Sequence, residues 1–237
     1  MLIRDKNGTM NNVMENFDNR KEFGNLEANI RFLNETGLIE KKTKILEIGS
    51  GNGSLLNYFY KRDYDIRGLE VNNSRIEESK KQYGKLPLEK VDNEVLPFAD
   101  NLFDVVISFD VFEHIPDSDK HLQEVSRVLK NQGFYLIQTP NKLTNVIFET
   151  IRRRSFTKWQ SDHCSLHSYW SIIRRFNNNN FEEIKFYDIP VVTDFFKMKV
   201  KRYMGDLGVL MLGLVNPDKL PQFLRTNFYL KARNKKN

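Results

Sequence analysis

The chain predicts an α/β fold built on a parallel, doubly wound sheet, and three observations carry that expectation. Lys44–Leu56 runs from a short apolar strand (Ile45, Leu46, Ile48) through glycines at alternate positions (Gly49, Gly51, Gly53) into apolar residues at helical spacing. Strand-like and helix-like segments then alternate as far as Asn141, the pattern of βαβ units. Glu70 closes the second strand-like segment 21 residues beyond Gly49, where an acidic side chain can accept hydrogen bonds from ribose hydroxyls at the carboxyl edge of the sheet.

The glycine turn organises the rest. Glycine permits positive φ and lets a ligand touch the backbone, because no Cβ intervenes. Amides at the start of the next helix then face that ligand. Glu47 lies two residues before the first glycine, on a strand otherwise built for burial. A buried carboxylate is costly without a partner, so Glu47 is expected to meet a donor or cation at the ligand. Ser54 stands where the dinucleotide pattern G-x-G-x-x-G has its last glycine, so a pyrophosphate is not required.

Residues 1–20 show little periodicity and read as flexible or as folding over a ligand. Leu26, Ile30, Leu33 and Leu38 mark an amphipathic helix within 25–39, which would pack beside the first strand and help roof the turn. Tyr64–Val71 reads as the second strand. Ser74–Tyr83 reads as a helix with Ser74 as N-cap and Glu77 and Glu78 in its first turn. Leu88–Val91 reads as a short strand ending at Asp92 and Asn93, beside Glu70. Phe103–Phe109 follows as the fourth strand, and Asp110–Ile115 leaves it carrying Glu113 and His114. Leu122, Val125 and Leu129 mark a helix stopped at Asn131–Gly133, and Phe134–Gln138 reads as the fifth strand.

Beyond Asn141 the alternation breaks. Lys142–Arg154 reads as a basic helix, Trp159–Tyr169 as a polar and aromatic segment with His163 and His167, and Trp170–Phe176 as a helix. Glu183–Tyr187 and Asn227–Ala232 read as strands separated by Phe195–Tyr203 and the apolar Leu207–Val215.

Composition narrows the classes. A hydrophobic content of 40% in 237 residues supports a sizeable core. Cys164 is the single cysteine, so no intramolecular disulfide is expected. No signal-peptide pattern is visible, since Met1–Asp5 leads into polar sequence, and a cytoplasmic location is expected. Leu207–Val215 is too short to span a bilayer. Residues 142–237 carry 18 Lys/Arg against 8 Asp/Glu, whereas residues 1–141 carry 19 against 23. That basic region suits phosphate, nucleic acid or an anionic membrane, or is a solvated lysine-rich surface.

Ile45–Gly53, Gly68–Val71, Asp92–Phe109, Glu113–Ile115, Glu124–Gly133 and Thr139–Asn141, taken in order and spacing, resemble the class I S-adenosylmethionine-dependent methyltransferases, especially the small-molecule group called type 11. The resemblance covers roughly residues 25–190. It implies a Rossmann-like methyltransferase fold with a mostly parallel seven-stranded sheet and an antiparallel edge hairpin. The chain is expected to be one domain over 1–237, with 1–40 as a helical cap; 194–225, a helical insertion between the last two strands, is longer than a simple hairpin needs and departs from the family pattern. By position, Glu47, Gly49, Ser50, Gly51 and Gly53 would form the cofactor turn, Glu70 would hold the ribose and Val71 would pack on the adenine. Asp92 and Asn93 would contact the adenine edge, and Phe109 would contribute backbone beside the methionine part. Asn131-Gln132-Gly133 departs from the family's usual Pro-Gly-Gly, away from the cofactor.

Methyl transfer needs alignment of a nucleophile and exclusion of water, and a hydroxyl acceptor also needs a base. His114 and His163 are the candidates, His167 ranks lower, and His121 reads as solvated on an outer helix. No Cys/His run has zinc spacing, so no metal is expected, and no G-x-S-x-G elbow marks a hydrolase. An NAD-dependent oxidoreductase is opposed by Glu47 and Ser54. An RNA methyltransferase is favoured by the basic region but opposed by Phe109–Phe112, which lacks the Asn/Asp-Pro-Pro-aromatic signature. The expected acceptor is therefore a small molecule, glycan or lipid-linked compound rather than nucleic acid, with peripheral membrane contact open. Asp194–Arg225 reads as a packed insertion, as an acceptor-side lid together with Lys142–Tyr169, or as a membrane contact.

Overall fold

The computed structural model describes residues 2–4, 10–12, 26–92, 95–153, 164–192 and 194–236. Seven strands form the main sheet: β1 (Ile45–Ile48), β2 (Ile66–Glu70), β3 (Leu88–Lys90), β4 (Phe103–Phe109), β5 (Leu129–Pro140), β6 (Phe181–Tyr187) and β7 (Asn227–Asn234). Their order is β3-β2-β1-β4-β5-β7-β6. The first five are parallel, and β7 inserts antiparallel between β5 and β6. Chain order reverses between β1 and β4, which opens a crevice at their carboxyl ends. A separate two-stranded antiparallel ribbon joins Leu2–Arg4 to Met10–Asn12, where the sequence shows little periodicity.

Helices cover both faces because the strands are apolar on both. Along β4, Val105 and Ile107 join the core beneath α1 (Leu26–Thr36) and α2 (Ser54–Tyr60). Val106 faces the opposite core, beneath α4 (Ser118–Val128) and α6 (Tyr169–Asn178), as the two-residue period of a strand requires. Phe176 of α6 is fully buried and stacks on Tyr135 of β5 at 5.9 Å.

Several boundaries differ from the sequence reading, each for a local reason. α3 (Asn73–Tyr83) is capped by Asn72, whose side chain accepts from the Ser74 amide at 2.9 Å. Ser74 therefore lies inside the helix, and Glu77 and Glu78 fall beyond its first turn. α4 stops at Val128 because Leu129 is already extended and opens β5, which carries the 131–133 turn within it, with Gln132 at φ +64°. β7 runs on to Asn234, whose buried amide donates to Ser126 and Lys130 carbonyls and accepts from the Ser126 hydroxyl. α5 spans Lys142–Arg153. α7 (Asp194–Leu214) joins the two stretches read separately, with a kink at Gly205 (φ +68°, ψ −164°), a backbone region open essentially to glycine alone.

The insertion leaves and rejoins the sheet at one edge. Tyr187 pairs with Tyr229, and Asn227 pairs with Pro140 at the end of β5. Residues 188–226 therefore start and finish at the carboxyl edge of the parallel strands, the edge that carries the glycine turn.

Candidate functional site

A cavity of about 870 Å³ opens at that edge. Its floor is the turn Glu47–Asn52, one side is the end of β2 with Asp92, the other is the loop after β4, and Leu26 and Asn29 of α1 lie over it. The turn follows from β2: the Gly49 and Ser50 amides both donate to the Leu69 carbonyl, at 2.8 and 2.9 Å.

Each glycine is required for a different reason. A Cβ on Gly49 (φ +76°) would come within 2.2 Å of the Val111 side chain, in the loop after β4. A Cβ on Gly51 (φ +56°) would touch only the Arg75 guanidinium, at 3.8 Å, and the Gly51 amide donates to Glu70 Oε2 at 2.7 Å. Gly53 (φ +81°) does not line the cavity. A Cβ there would meet Ser79 Oγ at 2.5 Å, so its bareness serves the packing of the turn on α3. Ser50 lines the cavity and is buried, with its hydroxyl donating to the Glu47 carbonyl at 3.4 Å.

Glu70 is buried, and its carboxylate gathers three backbone amides: Gly51 on Oε2, and Val71 and Asn72 on Oε1 at 3.0 and 2.9 Å. It thereby latches the glycine turn to the end of β2. Glu47 is also buried, but its Oε2 has no hydrogen-bond partner within the protein. Burial pushes its pKa up to about 7; the Ser50 hydroxyl lowers it and the neighbouring Glu70 charge raises it. Val71 is 67% exposed at the cavity wall. Asp92 lines the same side and pairs with Lys90 at 2.6 Å. Asn93 lies outside the described residues. Phe109 lines the far side, edge-on to Phe32 at 6.2 Å.

The loop after β4 brings residues that sequence reading missed. Asp110 lines the cavity at φ +53°, with its amide donating to the carbonyl and side-chain oxygens of Gln138 at 3.2 and 3.0 Å. Its position directly after a buried strand was the available signal. Arg75 enters from α3 as the single Lys or Arg among the described lining residues, against Glu47, Glu70, Glu78, Asp92 and Asp110. Glu113 is buried off the cavity, with Oε2 accepting from the Thr139 hydroxyl at 3.0 Å. Burial first, and then the Asp110 charge, push its pKa up to about 8.

The histidines separate clearly. His114 lines the cavity, and burial lowers its pKa, with Asp110 opposing and Arg75 reinforcing. His163 lies outside the described residues. His167 is buried edge-on to Phe112 at 5.0 Å and does not line the cavity. His121 is buried rather than solvated: α4 turns it inward, where Nε2 meets the Tyr135 hydroxyl at 2.9 Å, itself 2.8 Å from Ser108. Burial drops its pKa to about 4, so the ring is neutral, and it touches the cavity from behind.

A family model described as a methyltransferase domain matches residues 46–137. The ubiquinone biosynthesis O-methyltransferase of Pelagibacter ubique is 29% identical over 123 residues, covering 50% of this chain and 51% of that protein. The glycine/sarcosine/dimethylglycine N-methyltransferase of Actinopolyspora halophila is 37% identical over 110 residues, covering 43% and 19%. The chain thus spans about half or less of the length of these curated relatives. Among solved structures, a SAM-dependent methyltransferase from Thermotoga maritima aligns with a TM-score of 0.59 at 16% identity, covering 87% of this chain and 89% of that one. The [4+2]-cyclase SpnF aligns at 0.60 and 16%, covering 90% and 82%, so the shared fold does not by itself fix the reaction.

S-adenosylmethionine is the cofactor that this similarity implies, and the cavity fits it on two counts. The unpartnered Glu47 oxygen calls for a cation or donor, and the bare backbone of Gly51 leaves room beside the Glu70 latch. A diphosphate would instead face the acidic lining. Seven strands in this order, the glycine turn with its two buried carboxylates, the domain match over residues 46–137 and the relatives together make the chain similar to the class I S-adenosylmethionine-dependent methyltransferases.

Proposed function

We propose that the chain transfers the methyl group of S-adenosylmethionine to an oxygen or nitrogen nucleophile of a small-molecule, glycan or lipid-linked acceptor. The observation that carries this is the acidic cavity, with a buried, unpartnered Glu47 oxygen beside a glycine turn latched by Glu70. Relatives named for O- and N-methylation support either nucleophile.

In this reading Glu47, Gly49, Ser50, Gly51, Glu70, Val71, Asp92 and Phe109 hold the cofactor, and Gly53 sets the helix behind them. Bound S-adenosylmethionine supplies a methyl carbon made electrophilic by the adjacent sulfonium. Val111, Ile115 and Pro116 wall the far side and exclude water, which strengthens every charge interaction inside. His114 is neutral near pH 7, because burial holds its pKa below the ordinary histidine value of 6.5, and its ring accepts the acceptor's proton. In the same reading residues 1–237 act as one domain, with 194–225 as an insertion and 1–40 as a cap, of which 1, 5–9 and 13–25 lie outside the described residues. Asn93 and His163 rest on the sequence alone.

The test is incubation with methyl-labelled cofactor and fractionated cell extract. Label in a low-mass, glycan or lipid product supports the reading. Label in RNA turns it to the alternative that the basic 142–237 region favours, and no transfer despite cofactor binding removes the enzymatic reading.

A further inference from the structure

The second half of α7 presents an apolar stripe that nothing in the described structure covers. Leu207, Leu210, Met211, Leu214 and Val215 are 68, 62, 53, 78 and 59% exposed. Their spacing (i, i+3, i+4, i+7, i+8) puts all five on one helix face, and 207–215 contains no charged residue. Cations flank it: Lys197, Lys201 and Arg202 precede the Gly205 kink and Lys219 follows, with Lys201, paired to Asp206 at 2.8 Å, and Arg202 both exposed. α5, which also starts at the carboxyl edge, adds Leu143 and Ile147 at 49 and 57% exposure and the exposed cation Lys142.

The base of this projection is fixed. The Asp218 carboxylate accepts from the Val191 and Val192 amides at 2.9 and 3.0 Å, and the Asn141 amide donates to the Phe223 and Arg225 carbonyls at 2.9 and 2.8 Å. The neck of the insertion is thus tied down at the sheet edge that holds the cavity.

We propose that α7 is an interfacial helix that docks this edge on an anionic lipid bilayer. The stripe is aliphatic, without the aromatic and arginine anchors that centre protein interfaces. An aliphatic face with cations beside it is the chemistry of helices that lie in the headgroup region. The cations complement an anionic surface and add to the basic excess of residues 142–237. No helix among the described residues is long and apolar enough to cross a membrane, which accords with lying on one. Docking stands apart from methyl transfer; that an acceptor carried in the bilayer thereby reaches the cavity rests on the proposed function.

The experiment is sedimentation of the full chain with vesicles of mixed phosphatidylglycerol and phosphatidylcholine, and with vesicles of phosphatidylcholine alone. Binding is expected to the mixed vesicles and to weaken with salt. Leu210→Glu/Leu214→Glu is expected to lose it by roughly a hundredfold, and Lys201→Gln/Arg202→Gln by roughly thirtyfold. Both pairs are exposed, so thermal unfolding and S-adenosylhomocysteine binding should stay at wild-type values, which separates loss of docking from loss of the fold or the cofactor site. Absence of wild-type binding to mixed vesicles overturns the proposal, as does binding that survives Leu210→Glu/Leu214→Glu. A wild-type dimer that the same pair dissolves, without vesicle binding, assigns the stripe to a second copy instead.

Discussion

Glu47 makes the ligand-free protein's stability depend on pH in a specific direction. Its carboxyl is buried, Oε2 has no partner, and its pKa rises from 4.5 to about 7 in the folded state. Below the unfolded value both states hold the proton and Glu47 is neutral in the balance. Between 4.5 and about 7 the unfolded chain has released its proton while the folded chain retains it, so stability falls as pH rises. Above about 7 both are ionised and the whole penalty applies. At 1.36 kcal/mol per pH unit, the shift corresponds to about 3 kcal/mol.

Glu47→Gln removes the titration while keeping shape. Thermal unfolding of both proteins without ligand, from about pH 5 to about pH 8, isolates the effect, because Glu113 titrates alike in each. The variant is expected to gain on the wild type across this range. The gain approaches about 3 kcal/mol, or roughly 6–12 °C in Tm for a chain of this size. Parallel curves for the two proteins would refute the reasoning, since they would mean that Glu47 is not a desolvated, unpartnered acid. A cation placed against Glu47 draws its pKa back down, so S-adenosylhomocysteine binding near pH 7 is expected to release a proton from the wild type. Titration calorimetry in buffers of different ionisation enthalpy reads this, and Glu47→Gln should abolish it.

Glu70→Gln cannot be rescued by an amide flip, because the three partners are all N–H donors. One of them is left facing a donor, and a loss of about 1–3 kcal/mol in unfolding free energy is expected with weaker S-adenosylhomocysteine binding, measured by denaturation and calorimetry. Gly49→Ala places a Cβ 2.2 Å from Val111 Cγ2 at φ +76°. A cost of about 1–3 kcal/mol is expected, partly recovered in Gly49→Ala/Val111→Ala, because the double variant relieves the clash but not the backbone strain. His114→Asn should lower kcat by about 10²–10⁴ on the acceptor found by labelling while leaving cofactor affinity within about twofold. An unchanged kcat would remove His114 as the base.

What the sequence disclosed was mainly what is local. The strand, the alternate glycines and Glu70 lie within one βαβ unit, so their register was legible and the latch on Gly51 follows from it. Glu47 was legible as a buried acid in need of a partner because a carboxylate on an apolar strand is a conflict whatever surrounds it. Gly53 was not legible as a packing glycine, since Ser79 reaches it only when α3 folds back on the turn. His121 was placed in solvent from the Leu122, Val125 and Leu129 pattern, yet His121, Val125 and Val128 form an equally good helical stripe. The structure chooses it, because Tyr135 on β5 supplies the hydroxyl that satisfies the ring. Asp110, directly after β4, and Arg75, from α3, both line the cavity, a juxtaposition that no spacing encodes. Leu207–Val215 showed its apolar character in sequence, but whether it packs inward or stands exposed depended on the Gly205 kink and the tied neck.

The most direct measurement is titration calorimetry of the full chain with S-adenosylmethionine, S-adenosylhomocysteine and NAD under one buffer. Saturable binding of both sulfur ligands with no heat from NAD is the expected result, with Glu70→Gln weakening both. Tight NAD binding with no response to S-adenosylhomocysteine would contradict the assignment of this cavity.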